Sequence, residues 1–168
     1  LIIFFNVCQC VLLLCDYCVV CTMCAKLPRW VKIKKDYLSG DDKEEGAVEL
    51  DLVPIGGWYG SGRKAGWISP FLMACWNPET EEYESVCRCM TGFTDDFYRE
   101  QAEFYKGKEL ERRPASYVTG ETPPLWFPPS QVWEIKGADL TASPTHKAAA
   151  GLLGEEHGGR GVSVRFPR

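Results

Sequence analysis

Apolar and polar residues alternate with a period of two along most of the chain beyond Trp30, the pattern of strands buried on one face. Val31 and Ile33 alternate with Lys32 and Lys34, so the apolar pair and the lysine pair project to opposite sides of one strand. Residues 39–46 form a polar turn, and residues 48–55 a longer apolar-rich strand expected to end at Gly56 and Gly57. A glycine-rich loop follows at 60–66. Strand-like alternation returns at 68–76 and 83–89, divided by the turn Asn77-Pro78-Glu79-Thr80. Two further strands are expected at 132–140 and 162–166, beyond a proline-rich loop at 114–129.

One segment has helical spacing instead. Residues 95–106 open with Thr94 as N-cap and with Asp95 and Asp96 at the positive end of the helix dipole, and Gly107 can end them. Phe97, Phe104 and Tyr105 share one face of it at helical spacing. Short antiparallel strands, one interposed helix and no βαβ rhythm predict an all-β fold with one helix: a five-stranded Greek-key barrel of the OB type. A β-sandwich is the competing arrangement.

The first two dozen residues differ in kind from the rest. Their clearly polar positions are Asn6, Gln9, Asp16 and Thr22, and they hold six of the nine cysteines. The length matches a bilayer-spanning helix, but Asp16 would be costly there and no basic flank precedes it. Cys15, Cys18, Cys21 and Cys24 repeat every third residue without the longer final step and proline of an iron–sulfur run. The preferred reading is material foreign to the fold, with a membrane anchor or a metal site as alternatives. Residues 1–26 are therefore set apart from a domain at 27–168. The first residue is not Met, so the chain is expected to begin within a longer product. The three later cysteines, Cys75, Cys87 and Cys89, read as reduced, partly buried thiols of an intracellular protein.

Net charge, −4, announces no nucleic-acid partner, so such a claim rests on placement. Positive residues cluster at 26–35, at Arg63 and Lys64, at 106–113 and at Arg160, Arg165 and Arg168, while acids collect at 41–51 and 79–84. This segregation permits a basic face on an acidic protein. The glycine loop is no P-loop: Arg63 stands where lysine is needed, no Ser or Thr follows, and a strand comes next instead of a helix. Arg63 and Lys64 are candidate contacts to a phosphate backbone. The histidines, His146 and His157, sit in irregular surroundings without triad partners, and the later cysteines lack zinc-ligand spacing. Lys32 and Lys34 can present two fixed ammonium groups to a phosphate, although edge strands also carry lysines to deter aggregation.

Longer words carry a resemblance. W-V-K-I-K-K-D-Y-L at 30–38 resembles motif V of ATP-dependent DNA ligases. The likeness continues through L-D-L-V-P-I-G at 50–56, G-R-K-A-G at 62–66, F-L-M-A at 71–74 and T-G-F at 91–93. It then takes in V-W-E-I-K at 132–136, Ala138-Asp139 and Ser143-Pro144, and ends on V-S-V-R-F-P-R at 162–168, similar to the opening of motif VI. The order is that of the C-terminal OB-fold domain of a eukaryote-type enzyme, with 27–38 closing the nucleotidyltransferase domain.

The resemblance implies roles. Lys32 and Lys34 would contact the nucleotide phosphate. Phe166 would press into the minor groove beside a nick, and Arg165 and Arg168 would contact DNA or a neighbouring domain; Arg63 and Lys64 are weaker candidates for the backbone. It also implies nicked double-stranded DNA as partner, with the nucleotidyltransferase and DNA-binding domains of the same enzyme. A monomer in the nucleus is expected, with membrane association only if residues 1–24 are authentic. ATP and Mg2+ would serve the complete enzyme, in nick sealing during replication, repair or recombination, and this chain would hold neither stably. The nucleophilic lysine of K-x-D-G is absent and the chain stops before the later residues of motif VI, so it is expected to be inactive alone. The mRNA capping nucleotidyltransferases share a K-x-K motif V, but the words at 65–74 and 132–139 favour DNA ligase. A stand-alone OB module for single strands is the alternative, and it predicts Trp58, Tyr59 and Trp67 exposed together.

Overall fold

Backbone pairing divides the chain into two units, residues Leu1–Glu45 and Gly46–Arg168. The computed structural model describes residues 48–154 and 158–168 in full, and within the first 47 only the backbone of four short strands. These are β1 (Ile2–Phe5), β2 (Cys10–Cys15), β3 (Cys18–Thr22) and β4 (Lys32–Ile33), joined antiparallel in that order. Strand suits a segment so rich in Ile, Val and Phe. No helix among the described residues is long and apolar enough to cross a membrane. The sequence boundary at 26/27 falls inside this unit. Lys32 lies in β4, paired with Val20; Lys34 lies outside the described residues.

The second unit contains β5 (Val48–Tyr59), β6 (Ile68–Asn77), β7 (Glu82–Cys89), α1 (Asp95–Tyr105), β8 (Tyr117–Val118) and β9 (Leu125–Trp126). It ends with β10 (Trp133–Gly137), β11 (Asp139–Ser143) and β12 (Gly161–Arg165). The sheet runs β10-β5-β6-β7-β8, with β9 also on β5, and β11 pairs with β12. The single strand expected at 132–140 is therefore two, broken at Ala138. Its N–H turns away from β5 and donates to the Arg165 carbonyl at 2.9 Å. Gly137 permits the turn, because a Cβ there would stand 2.1 Å from Val164 Cγ1. The residues before β12 are tied back to β7, with Lys147 and Ala148 N–H both donating to Ser85 O. The sheet thus curls into a partly closed barrel, with α1 interposed between its third and fourth strands as in OB folds.

Gly56 and Gly57 do not end β5, which runs on to Tyr59. Here the glycines serve close approach, not chain reversal. Strand β9 lies directly on them, in register Gly56↔Trp126 and Gly57↔Leu125. A Cβ on Gly56 would meet Leu125 O at 2.8 Å, and one on Gly57 would meet Ile68 Cγ2 at 2.6 Å. The proline-rich loop accordingly contributes two short strands.

Strand β6 is buried on both faces. Phe71 and Met73 join Leu52, Cys87, Cys89, Ile135 and Phe127 inside the barrel, while Leu72 and Ala74 face a second cluster with Ile55, Tyr117 and Trp126. The helix caps the first cluster. Thr94 Oγ1 accepts from Phe97 N at 3.2 Å, as the N-cap reading requires. Its buried face is Tyr98, Gln101 and Tyr105, whereas Phe97 and Phe104 flank it half-exposed. Tyr98, Gln101 and Tyr105 share that face because they are spaced three and four residues apart, and the Tyr98 hydroxyl is met there by Lys64 and the Met90 carbonyl.

His146 is buried beside β7, its Nδ1 3.4 Å from Ser85 Oγ, and its backbone N–H donates to Ser143 Oγ. Burial holds its imidazole below the usual histidine range; Glu121 opposes that shift and Arg88 adds to it. The unfolded chain therefore binds the proton first as pH falls through about 6.5. Stability from the neutral ring is complete above that pH and is lost as pH falls toward the depressed folded value. Chemical denaturation should show a lower midpoint at pH 5.5 than at pH 7.5, and His146→Gln should shrink the difference. An undiminished difference would assign the effect to other groups.

Candidate nucleic-acid interface

At one end of the barrel three separate segments meet. The first is the loop between β5 and β6. Gly60 N–H donates to Trp67 O at 2.8 Å to close it, and Gly62 and Gly66 supply backbone at φ +58° and +86°. A tight turn at Gly62–Lys64 then sends two adjacent cations in opposite directions. Arg63 projects outward, its side chain 80% exposed, with Nη2 2.7 Å from Asp95 Oδ1 at the start of α1. An exposed pair of this kind is weak and easily exchanged for another anion.

Lys64 turns inward. Its Nζ donates to Met90 O at 2.5 Å, to the Tyr98 hydroxyl at 2.8 Å and to Ser69 Oγ at 3.4 Å, and lies 4.4 Å from the Tyr98 ring centre. All three ammonium donors thus have protein acceptors.

The second segment joins β7 to α1. Met90 O also accepts from the Tyr98 hydroxyl at 2.7 Å. Thr91 Oγ1 donates to Pro167 O at 3.1 Å, and Gly92, at φ +92°, lies against Arg168. The third segment is the end of β12 together with residues 166–168. Arg168 pairs with Lys136 through two backbone hydrogen bonds of 2.8 Å. Between these anchors stands Phe166, at φ +52° and 48% exposed, with the Arg165 guanidinium 5.0 Å from its ring. A bulky non-glycine residue in the left-handed region is a true outlier, sustained only where surrounding structure fixes it. Here the Arg165 carbonyl is fixed on one side, and Pro167 and Arg168 on the other.

The structure therefore brings Arg63, Lys64, Phe166 and Arg168 to one rim, linked through residues 90–95. Nothing in the sequence marks Met90, Gly92 or Tyr98 as site residues; T-G-F at 91–93 is a family word that carries no evident role of its own. Lys136, whose backbone seats Arg168, is likewise unmarked in the sequence. Its ammonium is 2.7 Å from Glu49 and 3.5 Å from Glu134, and the hydrogen bond to Glu49 raises its pKa.

Other chemistry finds little here. Cys75, Cys87 and Cys89 are free thiols, as expected; burial raises all three pKa values, Cys89 to about 11, which leaves them poor nucleophiles. No group of three or more His, Cys, Asp or Glu side chains among the described residues could hold a metal ion. The aromatic platform expected of a single-strand binder is also dispersed. Trp58 is covered by the Arg88 guanidinium at 4.2 Å, and Trp67 stacks on Tyr98 at 5.5 Å between ring centres. Tyr59 of that trio is well exposed, at 70%.

Comparison with known proteins gives this geometry its family. Residues 64–168 match the family described as ATP dependent DNA ligase C terminal region. The chain is 59% identical over 140 residues to DNA ligase 6 of Arabidopsis thaliana, covering 83% of this chain and 10% of that protein. It is 51% identical over 147 residues to DNA ligase 3 of Schizosaccharomyces pombe (83% and 17%) and 47% over 144 residues to DNA ligase 1 of Drosophila melanogaster (83% and 18%). It thus spans less than a fifth of the length of these relatives. The chain belongs to the ATP-dependent DNA ligases and carries their C-terminal, OB-fold region.

Proposed function

We propose that this region clamps nicked duplex DNA and assists nucleotidyl transfer during nick sealing, acting with the nucleotidyltransferase and DNA-binding domains of the same enzyme in the nucleus. The observation that carries this reading is Phe166, an exposed ring locked at positive φ and flanked by Arg165 and Arg168. An apolar wedge of this kind enters the minor groove and unstacks a base step, which costs a few kcal/mol that neighbouring contacts offset. Arg63, Arg165 and Arg168 supply phosphate contacts that fix register without reading sequence. Lys32 and Lys34, whose side chains lie outside the described residues, are assigned to the nucleotide phosphate through motif V. ATP and Mg2+ would be held by the complete enzyme. The 168 residues contain no K-x-D-G lysine, so the reading requires adenylylation elsewhere, and the chain alone should seal no nicks.

Binding of the 168-residue chain to nicked duplex across a salt series tests this. Phe166→Ala should weaken binding about tenfold with little change in salt slope, because no charge is lost. Arg63→Ala or Arg168→Ala should each lower the slope by about one. Preference for single strands together with indifference to Phe166 would replace the clamp by a single-strand module.

A further inference from the structure

Arg63 and Lys64 are adjacent and alike in charge, yet the fold puts them to different uses. We propose that Lys64 is a positioning residue for the Phe166 wedge, not a contact to DNA; this rests on the wedge reading given above. The Lys64 ammonium and the Tyr98 hydroxyl converge on one acceptor, the Met90 carbonyl. That carbonyl opens the segment whose next two residues support the far side of the wedge, Thr91 through the Pro167 carbonyl and Gly92 through Arg168. From Lys64 to the backbone of Phe166 the path is one hydrogen bond to residue 90, one step along the chain, one hydrogen bond to residue 167 and one step back. A DNA phosphate could capture the ammonium only by displacing its protein acceptors at a half-buried position, and Arg63 already offers an outward charge one residue away. Hydrogen bonds from a charged donor are the strong ones, so this cation is suited to hold a loop.

Without the ammonium, residues 90–92 lose their anchor on the loop and Phe166 must be ordered at the moment of binding, which weakens association. The test is a double-mutant cycle on the 168-residue chain: wild type, Lys64→Met, Phe166→Ala and the double variant, each bound to nicked duplex across a salt series. Lys64→Met should weaken binding about fivefold, a size typical of coupled neighbours. It should leave the salt slope unchanged and add nothing once Phe166 is gone. A slope reduced by about one, with a loss that persists beside Phe166→Ala, would make Lys64 a phosphate contact and overturn the proposal.

The failures separate cleanly. If Phe166→Ala weakens binding and Lys64→Met does not, the wedge stands and the positioning role falls. If Phe166→Ala itself has no effect, both fall. Should Lys64→Met lose its near-ultraviolet dichroism, Thr91→Val replaces it in the cycle by deleting only the hydrogen bond to Pro167. The same Phe166-dependent weakening is then expected, and independence from Phe166 would overturn the proposal.

Discussion

Phe71→Ala is expected to lose about 3–5 kcal/mol of folding stability, the range for removing a fully buried Phe ring. Phe71 is 0% exposed at the centre of β6. Its ring meets Trp133 edge-on at 4.9 Å between centres, Phe127 at 6.4 Å and Tyr105 at 6.5 Å. One side chain thus joins β6 to β10, to α1 and to the segment after β9, which are distant in sequence. The cavity left by truncation is lined by large rings fixed on three separate elements, so it cannot collapse cheaply. A domain of ordinary stability has roughly 5–15 kcal/mol in total, so this one change removes a large share. Denaturant titration should show it directly, with a melting temperature lower by on the order of 15 °C. Phe71→Leu keeps most of the volume and should cost under about 1.5 kcal/mol. A loss below about 1 kcal/mol for the alanine variant would mean that the barrel interior repacks freely, contrary to the shared-ring account.

The second large effect is expected at Gly92, where stability and binding should fall together. A Cβ there would lie 2.8 Å from Arg168 Cβ and 2.9 Å from its carbonyl carbon, and φ +92° is strained for any L side chain. The strain contributes roughly 1–3 kcal/mol, and the clash with backbone, which cannot swing aside, roughly 1–3 more. The atoms in the way belong to Arg168, which two backbone hydrogen bonds to Lys136 hold in place, so the clash is relieved only by moving residue 92 or by breaking that pairing. Gly92→Ala should therefore displace the support beneath Phe166 and reduce nicked-duplex affinity about as much as Phe166→Ala does. Gly107 provides the control. It has φ +73° but nothing within 4 Å of the place a Cβ would occupy, so alanine there carries strain without a clash. Gly107→Ala should cost on the order of 1 kcal/mol and leave DNA binding intact. Equal effects at both glycines would show that strain alone acts and that Arg168 does not seat the wedge.

The amino-acid sequence determined most of the longer elements of this domain. Strands at β5, β6, β7 and β12 follow from local alternation, and α1 from Thr94, Asp95 and Asp96 followed by Gly107, because side-chain period and caps act within a few residues. The words at 30–38, 62–66 and 162–168 were enough to recognise the family, and they placed Phe166, Arg165 and Arg168 together because those residues are adjacent in the chain. Contacts between distant segments could not be read this way. Pairing of β9 on β5 decided that Gly56 and Gly57 continue a strand, and attraction of Ala138 to Arg165 decided that one expected strand becomes two. The inner face of α1 fell to Tyr98 with Gln101 and Tyr105, while Phe97 is only half-buried, because the side of the helix that meets the barrel is set by tertiary packing. Arg63 and Lys64 look equivalent in sequence; tertiary structure alone turned one to solvent and the other to the Met90 carbonyl. Period and propensity are properties of a residue and its near neighbours, whereas the direction of a charge depends on which acceptors the closed barrel brings within reach.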